Sequence, residues 1–304
     1  MSVKKQANAI IPSYSFGKRR SSSMVMDRLF TGMVWGVGIV VILFIVGLLF
    51  LLLNKGLPLL SWDFLYGVPS EIEEGGGIGP ALFNSFYVLI LSLLISIPIG
   101  MAAGIYLAEF APNNKLIETV RICVEGLSSV PSIIFGLFGI ALFVEFFEIG
   151  LTILGAAVSL AFLNLPVLTR VTEESVRAVP VELRNGSFAL GSTHLQTIRQ
   201  VLLPVAINGI MTGICLTAGR AFGESAVIIL TAGVSTSGEM WDFNLLSPGG
   251  TLAVHLWYIQ SEAIVPDAQE IAQKTTAVLI FVALLINVLF RVPLWLKARK
   301  NQAR

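Results

Sequence analysis

Charge is scarce in this chain. Asp, Glu, Lys and Arg make up 13% of the 304 residues, against 55% hydrophobic, whereas roughly a quarter of a soluble domain is charged. That balance excludes an ordinary water-soluble fold and leaves an integral membrane protein. Histidine and cysteine are scarce too, at two each. His194 and His255 have no neighbouring ligand pattern, which excludes a His-based metal site and leaves two solvated loop residues. Cys123 and Cys215 lie in or beside apolar runs, so two buried, reduced thiols are expected and no disulfide. The chain also lacks a Gly-x-x-x-x-Gly-Lys-Ser/Thr nucleotide loop, a His-Glu-x-x-His and a Gly-x-Ser-x-Gly. The usual signatures of an ATPase, a zinc protease and a serine hydrolase are therefore missing. No enzyme activity, catalytic residue, cofactor or metal is expected in this chain, and a net charge of +1 gives no nucleic-acid footprint.

Long apolar runs are what it has. Residues 1–32 form a basic, Ser-rich tail, with Lys4, Lys5, Lys18, Arg19, Arg20 and Arg28. The run 33–53 is long enough to cross a hydrocarbon core of ~30 Å. It ends in Asn54-Lys55-Gly56 and lacks a small-residue cleavage site, so it is an uncleaved first span. A glycine-rich loop around residues 75–80 follows, flanked by Trp62 and Tyr66 at headgroup level. Further spans are expected over 82–108, interrupted at Pro98, over 124–144, 150–168 and 205–232, and, after a long segment 233–274, over 275–296. The membrane domain is 33–297, and 298–304 is a short C-terminal tail. Six spans place both termini on one side, and seventeen of the 20 Lys and Arg then fall on that side and two on the other. This skew makes the charged side cytoplasmic.

Two features ask for a function. The loop 170–204 is too long for a plain turn between spans. Within it, Pro180 can start a helix over Val181 to Leu190, Gly191 can end it in the left-handed conformation, and Ser192 or Thr193 can cap a second short helix. An amphipathic hairpin lying on the membrane surface has the same pattern. The second feature is Arg220 and Glu224 inside the run 205–232, about 22 Å along a continuous helix and one turn apart on one face. Charges at bilayer depth are expensive unless they face protein or water. A guanidinium forks onto oxyanion oxygens, so this pair is a candidate anion path; an interhelical salt bridge fits it as well. Ser128, Ser129 and Ser132 around Pro131 are further candidate donors, although such serines also satisfy backbone groups or permit close packing.

Ala189-Leu190-Gly191 followed by Val201-Leu202-Leu203-Pro204, with Gly191 thirteen residues before Pro204, resembles the Glu-Ala-Ala loop of ABC importer permeases. Asn185-Gly186-Ser187 stands where that family has Glu-Ala-Ala, and Val201 where it has Ile. Ile97-Pro98-Ile99-Gly100, Ile105-Tyr106-Leu107-Ala108-Glu109, Val130-Pro131-Ser132-Ile133, Gly209-Ile210-Met211-Thr212-Gly213 and Arg220-Ala221-Phe222-Gly223-Glu224 resemble phosphate-specific permeases, in particular their A-type subunits. The resemblance implies an all-α, six-span type I ABC importer permease (MetI-like) fold in a bacterial inner membrane. Asn185, Gly186, Ser187, Ala189, Leu190, Gly191, Leu203 and Pro204 would then couple the chain to an ATPase. It also implies a homologous C-type second permease, an ATPase dimer that binds ATP and Mg, and an external phosphate-binding protein. Another oxyanion (sulfate, molybdate or phosphonate) or an ATP-independent channel or carrier remains open on the residues alone.

Overall fold

The computed structural model describes residues 21–70 and 74–302, with side chains over 24–70 and 74–292. Lys4, Lys5, Lys18, Arg19, Arg20 and the side chains of Lys297, Arg299, Lys300 and Arg304, among the Lys and Arg used above for topology, lie outside the described residues. The chain divides into two bodies at Leu51 and Leu52. The first is carried by helix α1, Ser21–Gly56. This helix starts inside the tail expected at 1–32, because Ser21–Arg28 contains nothing that breaks a helix.

The second body is helical. Among the described residues it contains no strand, only an isolated bridge between Thr236 and Gly249. After the short α2 (Trp62–Tyr66) come α3 (Gly79–Ile105), α4 (Lys115–Ser128), α5 (Ser132–Gly139) and α6 (Ile153–Arg177). They are followed by α7 (Val181–Ala189), α8 (His194–Thr197), α9 (Leu203–Phe222), α10 (Ala226–Ala232), α11 (Leu252–Ser261) and α12 (Ala268–Gln302). Five stretches, 24–59, 79–110, 153–177, 194–222 and 268–292, are long and apolar enough to cross a bilayer, and a sixth, 115–146, is a helix pair bent by 94°.

α6 lies at the centre, buried nearly all round, as an apolar helix is only inside a bundle. Its main partner is α3, through a stripe of small residues at every fourth position: Ser92, Ser96, Gly100 and Gly104, all buried. A Cβ on Gly104 would sit 2.6 Å from the Thr169 carbonyl oxygen and the Thr172 Cβ, and one on Gly100 2.8 Å from the Leu168 Cβ. Only glycine permits this approach, and between helices in lipid close backbone packing is the main adhesive. α12 faces the core with Ile271, Thr275, Val278, Val282 and Ile286, the three-four spacing of one helix face.

The spans depart from expectation in five places. Pro98 does not interrupt α3; it lies within an unbroken helix on an exposed face, where the lost donor and the ring meet no neighbouring helix. The span expected over 124–144 is instead α4 and α5 at 94°. Residues before proline are driven out of the α region, and the Ser128 and Ser129 hydroxyls, each at 2.7 Å, donate to the Glu125 and Gly126 carbonyls as α4 ends. The span expected over 150–168 continues to Arg177, so 170–177 are the last turns of α6. The expected span 205–232 is broken into α9 and α10 at Gly223–Ser225, where Gly223 and Ser225 hold helix poorly. The segment 233–274 contains a helix of its own, α11. Cys215 is buried as expected, but Cys123 is exposed on α4, because that helix is only partly enclosed.

Candidate functional site

α9 separates its residues by face. Ala206, Ile210, Gly213, Ile214, Thr217, Ala218 and Ala221 are buried. Gly209 and Gly213 abut Ser175 and Val171 of α6, and the Cys215 thiol lies 3.4 Å from Asn287 Oδ1 of α12. The opposite face is exposed and carries Asn208, Thr212, Leu216 and Arg220, one residue per turn. The exposed faces of α3 and α12, by contrast, present Phe86, Ile90 and Leu94, and Phe281, Leu285 and Leu289, as a lipid-facing surface does. A polar row on a spanning helix has to meet protein or water. The sequence reading missed Asn208 and Thr212, although their spacing of four from each other and of eight from Thr212 to Arg220 is visible in it.

Arg220 and Glu224 are not stacked on one helix face. α9 ends at Phe222, whose ring packs on Phe86 at 5.5 Å, and Glu224 sits half-buried in the break, its amide bonded to the Ala221 carbonyl at 3.3 Å. Among the described residues Arg220 and Glu224 form no ion pair, with each other or with any third group. The expected stacking on one face fails for a geometric reason: the helical register that would align the pair stops between them.

The helices that follow the two breaks pack on each other. α10 packs on α5, where a Cβ on Gly136 would meet Leu230 and the Ala226 carbonyl. The start of α5, with Ser132, is one turn before Gly136, and Glu224 is two residues before Ala226. Interrupted backbone at membrane depth is tolerated where it is buried in protein or lines a polar passage. Of the candidate serines, Ser132 is half-buried at this junction, whereas Ser128 and Ser129 already spend their hydroxyl protons on their own helix.

At one end of the bundle the connection between α6 and α9 forms a compact hairpin. Pro180 precedes α7, Gly191 adopts φ +82° after it, and Thr193 caps α8 in a reciprocal capping box with Gln196. A π-helical turn, Ile198–Leu202, leads without a gap into α9. Val179, Ile198 and Leu202 anchor the hairpin in a cluster with Leu168, Val176, Ile210 and Ile214. Ser187 is buried and its hydroxyl meets Thr197 Oγ1 at 2.9 Å, tying α7 to α8. The outer surface of the hairpin is apolar where water would favour polar groups: Val181, Leu183, Phe188 and Leu195 are exposed, and Leu190 is 89% exposed. Asn185, Gly186, Ala189 and Gly191 are also exposed there; Pro204 is exposed and Leu203 half-buried at the base. His194 is not a solvated loop residue. Its ring packs edge-on against Phe110 at 4.8 Å, and its Nε2 is 3.4 Å from Glu109.

At the opposite end lies a cavity of about 230 Å³ lined in part by Ser235, Thr236, Gly238, His255 and Tyr258. His255, read from sequence as solvated, is 8% exposed on α11. Burial pushes its imidazole down to about 4, so the ring is neutral.

The family described as "Binding-protein-dependent transport system inner membrane component" matches residues 97–300. The probable ABC transporter permease protein YqgI of Bacillus subtilis (strain 168) is 41% identical over 277 residues, 88% of this chain and 94% of the relative. The phosphate transport system permease protein PstA of Haemophilus influenzae is 33% identical over 245 residues, 80% of this chain and 85% of the relative. Among solved structures, an inward-facing form of the MetNI methionine ABC transporter has a TM-score of 0.56 at 23% identity, covering 69% of this chain and 91% of its own. A bacterial alginate ABC transporter in complex with a periplasmic protein has a TM-score of 0.63 at 14% identity, covering 90% and 96%. With five stretches long and apolar enough to span, a sixth formed by the bent pair, and this match over two thirds of its length, the chain belongs to the family of inner-membrane components of binding-protein-dependent transport systems, the multi-pass permease subunits of ABC importers with the type I fold.

Proposed function

We propose that this permease forms half of a path for inorganic phosphate, with Arg220 as the residue that meets the anion inside the membrane. The observation that carries the proposal is the exposed row Asn208, Thr212 and Arg220 on α9, ending in a guanidinium without an ion pair among the described residues. A fully charged, forked donor in a low-dielectric passage suits a tetrahedral oxyanion. Glu224 in the adjoining break keeps the dianion from resting there too tightly, and Ser132, at the start of the helix that packs on α10, adds a hydroxyl. Relatives named as phosphate transport permeases, such as that of Haemophilus influenzae, favour phosphate among the oxyanions and the A-type over the C-type subunit.

The second half of the path comes from a homologous permease laid against the polar face of α9. Both termini and the α7–α8 hairpin face the cytoplasm, where the hairpin's apolar surface enters a cleft of a separate ATPase that holds ATP and Mg. Leu190, at its tip, with Asn185, Gly186, Ala189 and Gly191, makes the contact, while Ser187, Leu203 and Pro204 shape the hairpin from within and below. A binding protein delivers phosphate to the outer face, whose eleven Asp and Glu repel the free anion. ATPase closure moves the hairpin, and the spans from α3 to α9 rearrange to open the path outward.

The test is uptake of labelled phosphate by proteoliposomes holding the whole complex, in competition with sulfate, molybdate and phosphonate. Phosphate uptake that requires ATP and resists the other anions is the expected result. Uptake that another of these anions blocks at a lower concentration than unlabelled phosphate does would reassign the substrate, and transport by the permeases without ATPase would overturn the reading.

A further inference from the structure

α3 does not end at Ile105. It continues into a π-helical turn, Tyr106–Phe110, and π turns recur where a helix does something besides span. Two buried carboxylates and one freed carbonyl meet at this turn. Glu109, whose side chain is 5% exposed, accepts from Arg184 Nη2 of α7 at 2.5 Å and faces His194 Nε2 of α8 at 3.4 Å. The Leu107 carbonyl, left over at the helix end, accepts from Arg121 of α4 at 2.9 Å and from Arg177 of α6 at 3.4 Å. The same two arginines bind Glu173 of α6, 7% exposed, at 2.7 and 3.2 Å. Two polar clusters therefore meet on this turn, and among the described residues Glu109 makes its ionic and hydrogen-bonded contacts to the hairpin, beside the packing of Phe110 on His194.

Apolar contacts such as those of Val179 and Leu202 anchor the hairpin, but dispersion has no direction of its own. Charge-assisted hydrogen bonds fix register. The exposed pairs of Arg170 with Glu125 and Glu174 are screened by water and weak; those of Glu109 and Glu173 are enclosed. The arrangement is not tuned for stability alone, since Arg184 Nε is buried without a partner, a cost accepted to aim the guanidinium at Glu109.

Resting on the reading of the hairpin as the ATPase-docking element, we propose that Glu109 is a positioning residue, the joint through which hairpin movement reaches α3, and that Glu173 with Arg121 and Arg177 passes it to α4 and α6. ATP hydrolysis is then converted into rearrangement of the path only while Arg184 and Glu109 stay paired.

The experiment uses the reconstituted complex, with phosphate as the transported probe, and reads two quantities: phosphate moved per ATP hydrolysed, and cross-linking to the ATPase from Leu190→Cys in a chain with Cys123 and Cys215 replaced by Ser. Glu109→Gln is expected to keep the cross-link and ATP hydrolysis but to lower phosphate per ATP by roughly fivefold or more. Arg184→Gln should do the same, and the double variant should be no worse than either single one. A wild-type ratio in Glu109→Gln, or losses that multiply in the double variant, would overturn the joint. Absence of the cross-link with Glu109 and Arg184 intact would instead refute the docking reading on which it rests. Should Glu109→Gln fail to accumulate in the membrane, Arg184→Gln, at a more exposed position, decides by the same ratio.

Discussion

Arg220→Ala is expected to lower phosphate uptake by the reconstituted complex by roughly 100-fold while ATPase association is unchanged. Two charge-assisted hydrogen bonds from one guanidinium contribute about 3 kcal/mol or more beyond what water offers the anion, and about 2.7 kcal/mol is a hundredfold in affinity. Folding is spared, because Arg220 is exposed on the single chain and pairs with nothing among the described residues; its removal leaves no buried partner stranded. Arg220→Lys should fall between, keeping the charge but losing the planar fork. Competition by excess cold phosphate, measured alongside uptake, separates lost recognition from lost assembly. If Arg220→Ala transports like wild type, the guanidinium serves the subunit contact and not the anion.

The second large effect is expected at the hairpin tip. Leu190→Glu should reduce recovery of the ATPase with the permease by roughly 30-fold, the equivalent of about 2 kcal/mol for a central interface residue. Leu190 is 89% exposed, with Phe188 and Leu195 exposed near it, and an apolar tip of this kind gains nothing from water. A carboxylate there is fully solvated in the free permease and must be dehydrated on docking, so the cost appears on association only. Co-purification at stepped ATPase concentrations measures it. The control is Ser187→Ala, which removes the internal hydrogen bond to Thr197 without touching the outer surface and should leave the ATPase bound.

Local rules that act within a few residues were visible before the structure. Apolar runs longer than a bilayer is thick marked the spans. Pro180, Gly191 and Thr193 foretold the hairpin, because caps and left-handed turns are decided by the residues that form them. What depends on neighbours was not visible. Pro98 has the same local signal as Pro131, yet one lies within a continuous helix and the other sits at a right-angled bend; the difference is whether another element needs the corner. The break after Phe222 falls at Gly223 and Ser225, a weak local signal inside a long run that reads as one span, so Arg220 and Glu224 look like a pair on one face. Glu109 belongs to a motif that resembles the family, but its partners lie 75 and 85 residues away in sequence, and no periodicity links them. The row of Asn208, Thr212 and Arg220 is legible in the sequence, but two of its three side chains are uncharged and each is common in membrane helices on its own.

The most direct measurement is thiol accessibility at position 216, one turn before Arg220 on the same exposed face of α9. Leu216→Cys, in a chain with Cys123 and Cys215 replaced by Ser and assembled with its partners, is treated with a membrane-impermeant charged thiol reagent, with and without phosphate during ATP turnover. A water-filled anion path predicts that the thiol reacts and that phosphate slows the reaction. A thiol that reacts only with lipid-soluble reagents, at a rate indifferent to phosphate, would place this face of α9 against hydrocarbon and contradict the account.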